Sequence, residues 1–299
     1  MNQSKKKGSV FYGIATVIVL IIITLLVFIP FLIISVLKIY PNASWRTFCT
    51  KKLHKLATLW MDFNNYYLHR TNPFKLEVTG LANIHPANWH LIVTNHQSWL
   101  DIVMLEYLFN RINRIPLLTF FIKNQLKWVP LLGFCWWAMG FPFMKRHSKE
   151  YLAKNPHKKG QDLHATLKAI EHFKKIPASI VSFVEGTRCT PEKSRQQGSP
   201  YQHLLKPKAG GISFVIGGMY KEIDSLLDVT IVYPDEHHSL WDFLCHRMTT
   251  IKIQIRRIPI PAAFRTPSLL EDQTLQALFR NWLNEQWLEK DQLISLMKT

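Results

Sequence analysis

A chain of 299 residues with 37 Lys and Arg against 20 Asp and Glu carries a formal net charge of +17, while 47% of its residues are hydrophobic. That apolar share excludes a disordered polybasic chain, and a mean hydropathy of −0.01 is too polar for a transporter built mainly of apolar spans. Four dispersed Cys cannot scaffold a domain of this size with disulfides, and reduced Cys suits a cytoplasmic face.

The charge falls in two blocks. Residues 1–61 hold eight bases and no acid, and residues 122–175 hold eleven bases and three acids, so each block contributes +8. Such a block attracts nucleic acid or an anionic membrane surface, or is simply a solvated face. The first block frames Val10 to Leu37, 28 residues without a charge. As a helix this run is about 42 Å long against a hydrocarbon core of about 30 Å, and no small-residue cleavage site follows it. It reads as a retained membrane anchor. Residues 1–45 then form a basic, transmembrane or interfacial segment, and residues 46–299 the main domain. Pro30 is expected to kink or break the helix near Ile29, with Val10–Ile29 spanning alone and Phe31–Leu37 turning back or lying in the interface. Bases on both sides leave a single span and a re-entrant hairpin open; the hairpin would put both flanks on the cytoplasmic side.

Residues 47–69 read as a helix with Phe48, Leu53, Leu56, Trp60 and Phe63 partly in phase. Lys75–Thr79 and Leu91–Thr94 read as strands and residues 99–110 as a helix. Ile115–Met144 is apolar but interrupted, and its Trp128, Trp136 and Trp137 suit either ordinary core or a partly interfacial helix. Residues 161–175 place Leu163, Leu167, Ile170 and Phe173 on one helical face. Lys154–Lys159 reads as a solvated or membrane-facing loop. Ser179–Val184, Val229–Val232 and the alternating Thr250–Arg256 are further strands. Ser268-Leu-Leu-Glu271 has the capping-box pattern and predicts the start of a C-terminal helix of about seven turns. Strands alternating with helices predict an α/β fold, a sheet flanked by helices behind an N-terminal anchor helix or hairpin.

Two strand ends carry the chemistry. Leu91–Thr94 runs into Asn95-His96-Gln-Ser-Trp-Leu-Asp101. Asp101 falls in the first turn of the next helix, where it can fold back to His96. A carboxylate on one imidazole nitrogen selects the tautomer and makes the other nitrogen a better base; the plainer reading is a structural His with a helix-start carboxylate. Ser179–Val184 runs into Glu185-Gly186-Thr187-Arg188. Gly186 lets backbone approach a ligand, and the Arg188 fork suits a phosphate. Gly140-Phe-Pro-Phe-Met-Lys-Arg146 adds cations between the two. Both strand ends are expected at one edge of a parallel sheet, where α/β proteins bind ligands. His85, His90, His237 and His238 lack metal-ligand spacing beside a Cys pair, so no metal site is expected. Cys189, beside Arg188, is either a low-pKa thiol or an unreactive one.

Asn-His-x4-Asp, then Gly-x-x-Phe-x-Lys-Arg, then Phe-Val-Glu-Gly-Thr-Arg, in that order behind an apolar segment, resembles the glycerolipid acyltransferase family, the lysophosphatidate acyltransferases, over roughly residues 10–260. The resemblance implies a mixed sheet flanked by helices and a membrane-bound enzyme that moves an acyl group from acyl-CoA or acyl-carrier protein to the hydroxyl of 1-acylglycerol-3-phosphate, without a cofactor. By the same resemblance His96 is the general base, Asp101 orients it, Arg188 binds the acceptor phosphate, and Glu185, Gly186 and Thr187 shape the acceptor site. Arg146 and Lys123 are further phosphate candidates. The implied partners are membrane lipids and the acyl donor, not nucleic acid, and the implied location is the cytoplasmic side of a bacterial inner membrane. Ile231-Val-Tyr-Pro234 is the nearest match to the family's Pro-rich apolar strand. Remodelling of other lysophospholipids stays open. A tethered serine hydrolase needs a Gly-x-Ser-x-Gly elbow, which the sequence lacks, and a nucleic-acid binder would have to expose Leu131–Met144.

Overall fold

The computed structural model describes residues 8–81, 84, 88–112, 118–120, 122–141, 143–144, 179–235 and 239–298. The expected helix over 161–175, the Lys154–Lys159 loop, Arg146, His85, His237 and His238 lie outside these residues. The strands are β1 Lys75–Thr79, β2 His90–Thr94, β3 Leu118–Phe120, β4 Ile122–Lys123, β5 Phe143–Met144, β6 Ser179–Phe183, β7 Ser225–Val232 and β8 Thr250–Pro259. The described helices are α1 Val10–Leu37, α2 Ala43–Thr71, α3 Leu100–Glu106, α4 Leu132–Met139, α5 Pro191–Gln197, α6 Ala209–Gly218, α7 Leu240–Leu244 and α8 Gln273–Lys298.

Six strands form one mixed sheet in the order β1-β8-β7-β2-β6-β3. β7, β2, β6 and β3 run parallel, and β8 pairs antiparallel with β7. β2 sits near the centre and is buried at all five positions, which is why it reads as an unbroken apolar run. Side chains alternate between the faces. Leu91 and Val93 join Ile180, Ile212, Val215, Phe279 and Trp287 on the face covered by α6 and α8. Ile92 joins Val181, Leu100, Met104, Ile251 and Ile253 on the face covered by α3. On the α8 side, Lys290 is fully buried. Its Nζ meets Asp228 and donates to the Val229 carbonyl at 2.7 Å, while Arg256 closes on the other Asp228 oxygen at 2.8 Å.

Three expectations are corrected. The α1 helix does not break at Pro30 but runs on to Leu37. Proline removes one intrahelical hydrogen bond, and the turns beyond it are held independently: Phe31 is buried against Leu53, Ala138 and Met139, and Lys38 Nζ donates to the Ala138 carbonyl at 2.7 Å. The return leg of the hairpin is therefore α2, entered through an Asn42 cap on Trp45 N, and not Phe31–Leu37. Second, Ser268 does not open the C-terminal helix. Residues Pro267–Leu270 form a separate 3-10 turn, and Asp272 caps α8 by accepting from Thr274 N and Leu275 N. Third, the helix over 99–110 keeps α geometry only to Glu106 and then widens into a π turn, Tyr107–Ile112. Tyr107 and Asn110 of that turn bond His69 and Asp62 on α2.

By length and composition α1 is the one helix among the described residues able to cross a membrane, yet it docks along the domain over its whole length. Tyr12 stacks on His246 at 4.8 Å. A Cβ at Gly13 would lie 2.6 Å from Cys245 Sγ, so glycine permits the approach to α7. Trp60 of α2 donates to Thr24, and Phe28 meets Phe134 of α4. The outer face leaves Phe11, Ile14, Ile18, Ile22, Leu26 and Ile29 exposed.

Removing one partner of the buried pair strands a charge. Lys290→Met is therefore expected to lower stability by about 3–5 kcal/mol, read by thermal unfolding of detergent-solubilised protein. Glu289→Ala, which loses the exposed outer bond to Arg256, should cost less than about 1 kcal/mol.

Candidate active site

β2 and β6 end in register, Thr94 opposite Phe183. Their following turns leave from one sheet edge and meet. Asn95 is buried and locks the first turn to β7: its amide donates to the Ile231 carbonyl and accepts from Ile231 N, both at 2.9 Å. His96 follows. Its main-chain N–H donates to Glu185 Oε1 at 2.8 Å, and its carbonyl accepts from Cys189 N at 2.7 Å, so the two motif turns are bonded to each other.

Asp101 reaches back to His96 Nδ1 at 2.8 Å. The same oxygen accepts from Gln97 N at 2.7 Å and Ser98 N at 2.9 Å, and the other oxygen accepts from Tyr233 Oη at 2.7 Å. The other three partners are donors, as befits an ionised carboxylate, so His96 Nδ1 carries a proton towards it. Nε2 is then left with the lone pair. The ring stacks on Phe183 at 4.1 Å, and the side chain keeps 16% of its surface accessible. A fixed tautomer, a carboxylate behind it and an open Nε2 can take a proton from a hydroxyl.

The second motif divides by function of place. Glu185 is fully buried and accepts from His96 N and Leu205 N, so it joins loops and does not face the opening. Burial pushes its carboxyl up to about 7, against the pull of these two bonds and of Lys290. Gly186 sits at φ 72, in the left-handed region, and turns the chain after Glu185. Thr187 accepts from Lys193 at 2.8 Å. Arg188 is exposed, with its guanidinium over Trp99 at 5.6 Å, which sets a cation beside the His96 turn. Lys123 lies on β4, with its side chain outside the described set. Burial raises the Cys189 thiol to about 11, which removes the low-pKa reading. Among the described residues no group of three or more His, Cys, Asp or Glu is placed to hold a metal.

Beside this edge lies an apolar cavity walled by α1, α2, α4 and β3, with Glu106 at the end of α3 also lining it. Phe120 lines it and stacks on Phe183, whose other neighbour is the His96 ring. Tyr233 and Glu185 are the two roles the motifs did not announce. Tyr233 stood in the sequence as part of an apolar strand end, and only packing reveals its hydroxyl on Asp101.

A protein-family model described as Acyltransferase matches residues 75–233, from β1 to Tyr233. The chain belongs to this acyltransferase family. Among similar proteins, 1-acyl-sn-glycerol-3-phosphate acyltransferase epsilon of Mus musculus is 25% identical over 68% of this chain and 56% of its own length. Lysocardiolipin acyltransferase 1 of Mus musculus is 24% identical over 85% of this chain and 65% of its own. This acyltransferase chain thus spans between about half and two thirds of the curated relatives it matches. The crystal structure of a 1-acyl-sn-glycerophosphate acyltransferase from Thermotoga maritima aligns over 92% of this chain and 98% of that one, with 16% identity and a TM-score of 0.47.

Tyr233→Phe in this acyltransferase leaves a buried Asp101 oxygen without its donor, which should cost about 1–3 kcal/mol of stability and lower kcat while the protein still folds. Thermal melts and turnover separate the two. Because the Glu185 carboxyl rises from 4.5 to about 7, the folded protein binds more protons than the unfolded chain between these values. Its contribution is full below pH 4.5 and is lost as pH rises through about 7. Relative to Glu185→Gln, the parent should therefore lose thermal stability across that window.

Proposed function

We propose that this acyltransferase moves a fatty acyl group from a thioester donor, acyl-CoA or acyl-carrier protein, to the free hydroxyl of 1-acylglycerol-3-phosphate, yielding phosphatidate. The observation that carries this reading is the 2.8 Å contact between His96 Nδ1 and Asp101, with Nε2 open at the sheet edge. In the proposed step, Nε2 takes the hydroxyl proton as the acceptor oxygen attacks the thioester carbon. The carbon–sulfur bond breaks, and the thiolate leaves with a proton returned by the imidazolium. Asp101 stabilises that imidazolium without leaving its four donors. Arg188 supplies the charge for the acceptor phosphate, and Arg146 and Lys123 are further candidates for it. The apolar cavity takes an acyl chain, since apolar burial favours hydrocarbon over a charged headgroup. No residue here serves as a covalent acyl carrier, and no cofactor is required.

A second acceptor class has its own support. Arg188 is exposed and reads a phosphate without reading what it is attached to, and the lysocardiolipin acyltransferase relative aligns over 85% of this chain. Remodelling of another lysophospholipid uses the same base and the same cavity.

The docking of α1 supports embedding in the plane of one leaflet and not a perpendicular span. A helix bonded to its own domain from Tyr12 to Lys38 cannot leave that domain to cross a bilayer without losing those contacts. Its exposed apolar face, together with exposed Trp45, Trp128 and Trp137, forms a surface suited to the interface, with Lys51, Lys52 and Lys55 of α2 near anionic headgroups. The domain then faces the cytoplasm of a bacterial cell.

Purified full-length protein given mixed lysolipids with both donor types, and read by mass spectrometry of the products, tests the reaction. Diacylated phospholipid is expected, and His96→Ala should lower its rate about 10²–10⁴-fold. Undiminished turnover in His96→Ala would remove the base from the reading.

A further inference from the structure

The cavity wall contains one group that an acyl pocket does not require. Glu106 ends α3 and lines the cavity. It lies five residues beyond Asp101, about 7.5 Å along the helix axis, so it faces a chain well below the reacting carbonyl. Most of the rest of the wall is apolar. Phe28, Phe31, Met61 and Phe120 carry no hydrogen-bonding side-chain atoms. The Thr24 hydroxyl donates to the Leu20 carbonyl and accepts from Trp60. Burial pushes the Cys135 thiol up to about 11, which keeps it neutral. Among the described residues no hydrogen bond or ion pair reaches the Glu106 carboxyl, and burial by itself raises it to about 7.

The carboxyl is half-buried and faces the cavity, so it keeps water while the site is empty and loses it when a chain enters. A plain hydrocarbon beside it imposes that cost, because it displaces the water and offers no donor or acceptor. A chain that carries a hydroxyl at the right depth relieves it. The asymmetry resembles that of any site built around a buried polar group: the ligand lacking the partner is rejected, because the site's own group is left unpaired.

We propose that Glu106 sets the acyl selectivity of this cavity, pairing with a hydroxyl on the donor's fatty chain so that hydroxyacyl chains are taken in preference to plain ones of equal length. This rests on the cavity being the acyl site of the proposed reaction. Glu106 touches the chain and not the reacting atoms, so it is a specificity residue and not a catalytic one.

The test uses full-length, detergent-solubilised protein and two readouts. The first is displacement of the fluorescent fatty acid cis-parinaric acid by tetradecanoic acid and by its monohydroxy positional isomers, which needs no turnover. The second is acyl transfer from the corresponding thioesters. At least one isomer is expected to bind about tenfold more tightly than the plain acid, a factor worth about 1.4 kcal/mol. Glu106→Gln, which keeps a hydrogen-bonding head of the same size, should retain the preference. Glu106→Leu should abolish it, bind the plain acid more tightly and melt no lower than the parent. Equal affinities in the parent, or a preference that survives in Glu106→Leu, would overturn the proposal. A preference in binding without transfer from any thioester would leave the selectivity standing and sink the proposed reaction. Transfer without any preference would do the reverse.

Discussion

The site depends on one buried carboxylate. Asp101 is fully buried and takes four donors: one imidazole nitrogen, two main-chain amides of the same turn and the Tyr233 hydroxyl. An ionised group is tolerated at such depth because every lone pair has a partner. The amides fold the Gln97–Ser98 turn back onto the start of α3, and that curl is what turns the His96 ring to the opening. The side chain that orients the His96 imidazole is thus also the one that shapes its loop.

A second buried carboxylate ties this turn to the far side of the sheet. Glu185 holds His96 N with one oxygen and Leu205 N with the other. The Leu205 carbonyl in turn accepts from Trp287, and Asp291 accepts from Gln202 N and His203 N. The C-terminal helix therefore braces the loop that braces the histidine, through bonds to main-chain atoms that side-chain identity along the loop does not alter. The buried Lys290–Asp228 pair fastens that same helix to β7, the strand whose end supplies Tyr233. Mechanical support for His96 runs through the molecule in a closed path.

On the opposite face, the apolar elements share one purpose. The α1–α2 hairpin and α4 wall a largely apolar cavity, while their outer surfaces remain apolar and aromatic. Phe120 and Phe183 link that cavity to His96 by stacked rings. The cavity wall is apolar apart from a few groups, Glu106 among them, and the exposed guanidinium of Arg188 stands over Trp99 beside the His96 turn.

The sequence by itself determined the parts with a short range. A period of two marked β8, a charge-free run marked α1, and the polar turns after two apolar strands marked His96, Asp101 and the Glu-Gly-Thr-Arg segment, because local steric and hydrophobic patterns dictate those elements. The strand register, which sets the two motifs side by side, was implied only by their common placement at strand ends. What tertiary structure decided lies in contacts across large separations. Nothing local distinguishes Tyr233 from any strand-end aromatic, since its hydroxyl bond spans 132 residues. Glu185 carries the same carboxyl whether it faces a ligand or two buried amides. Pro30 costs one hydrogen bond wherever it stands, but whether the helix survives it depends on what holds the turns beyond. The Ser268 pattern was outcompeted by Asp272, four residues on, once the 3-10 turn used the intervening chain. Local chemistry proposes a conformation or a role; packing decides between proposals because burial fixes which polar groups must find a partner, and where that partner is.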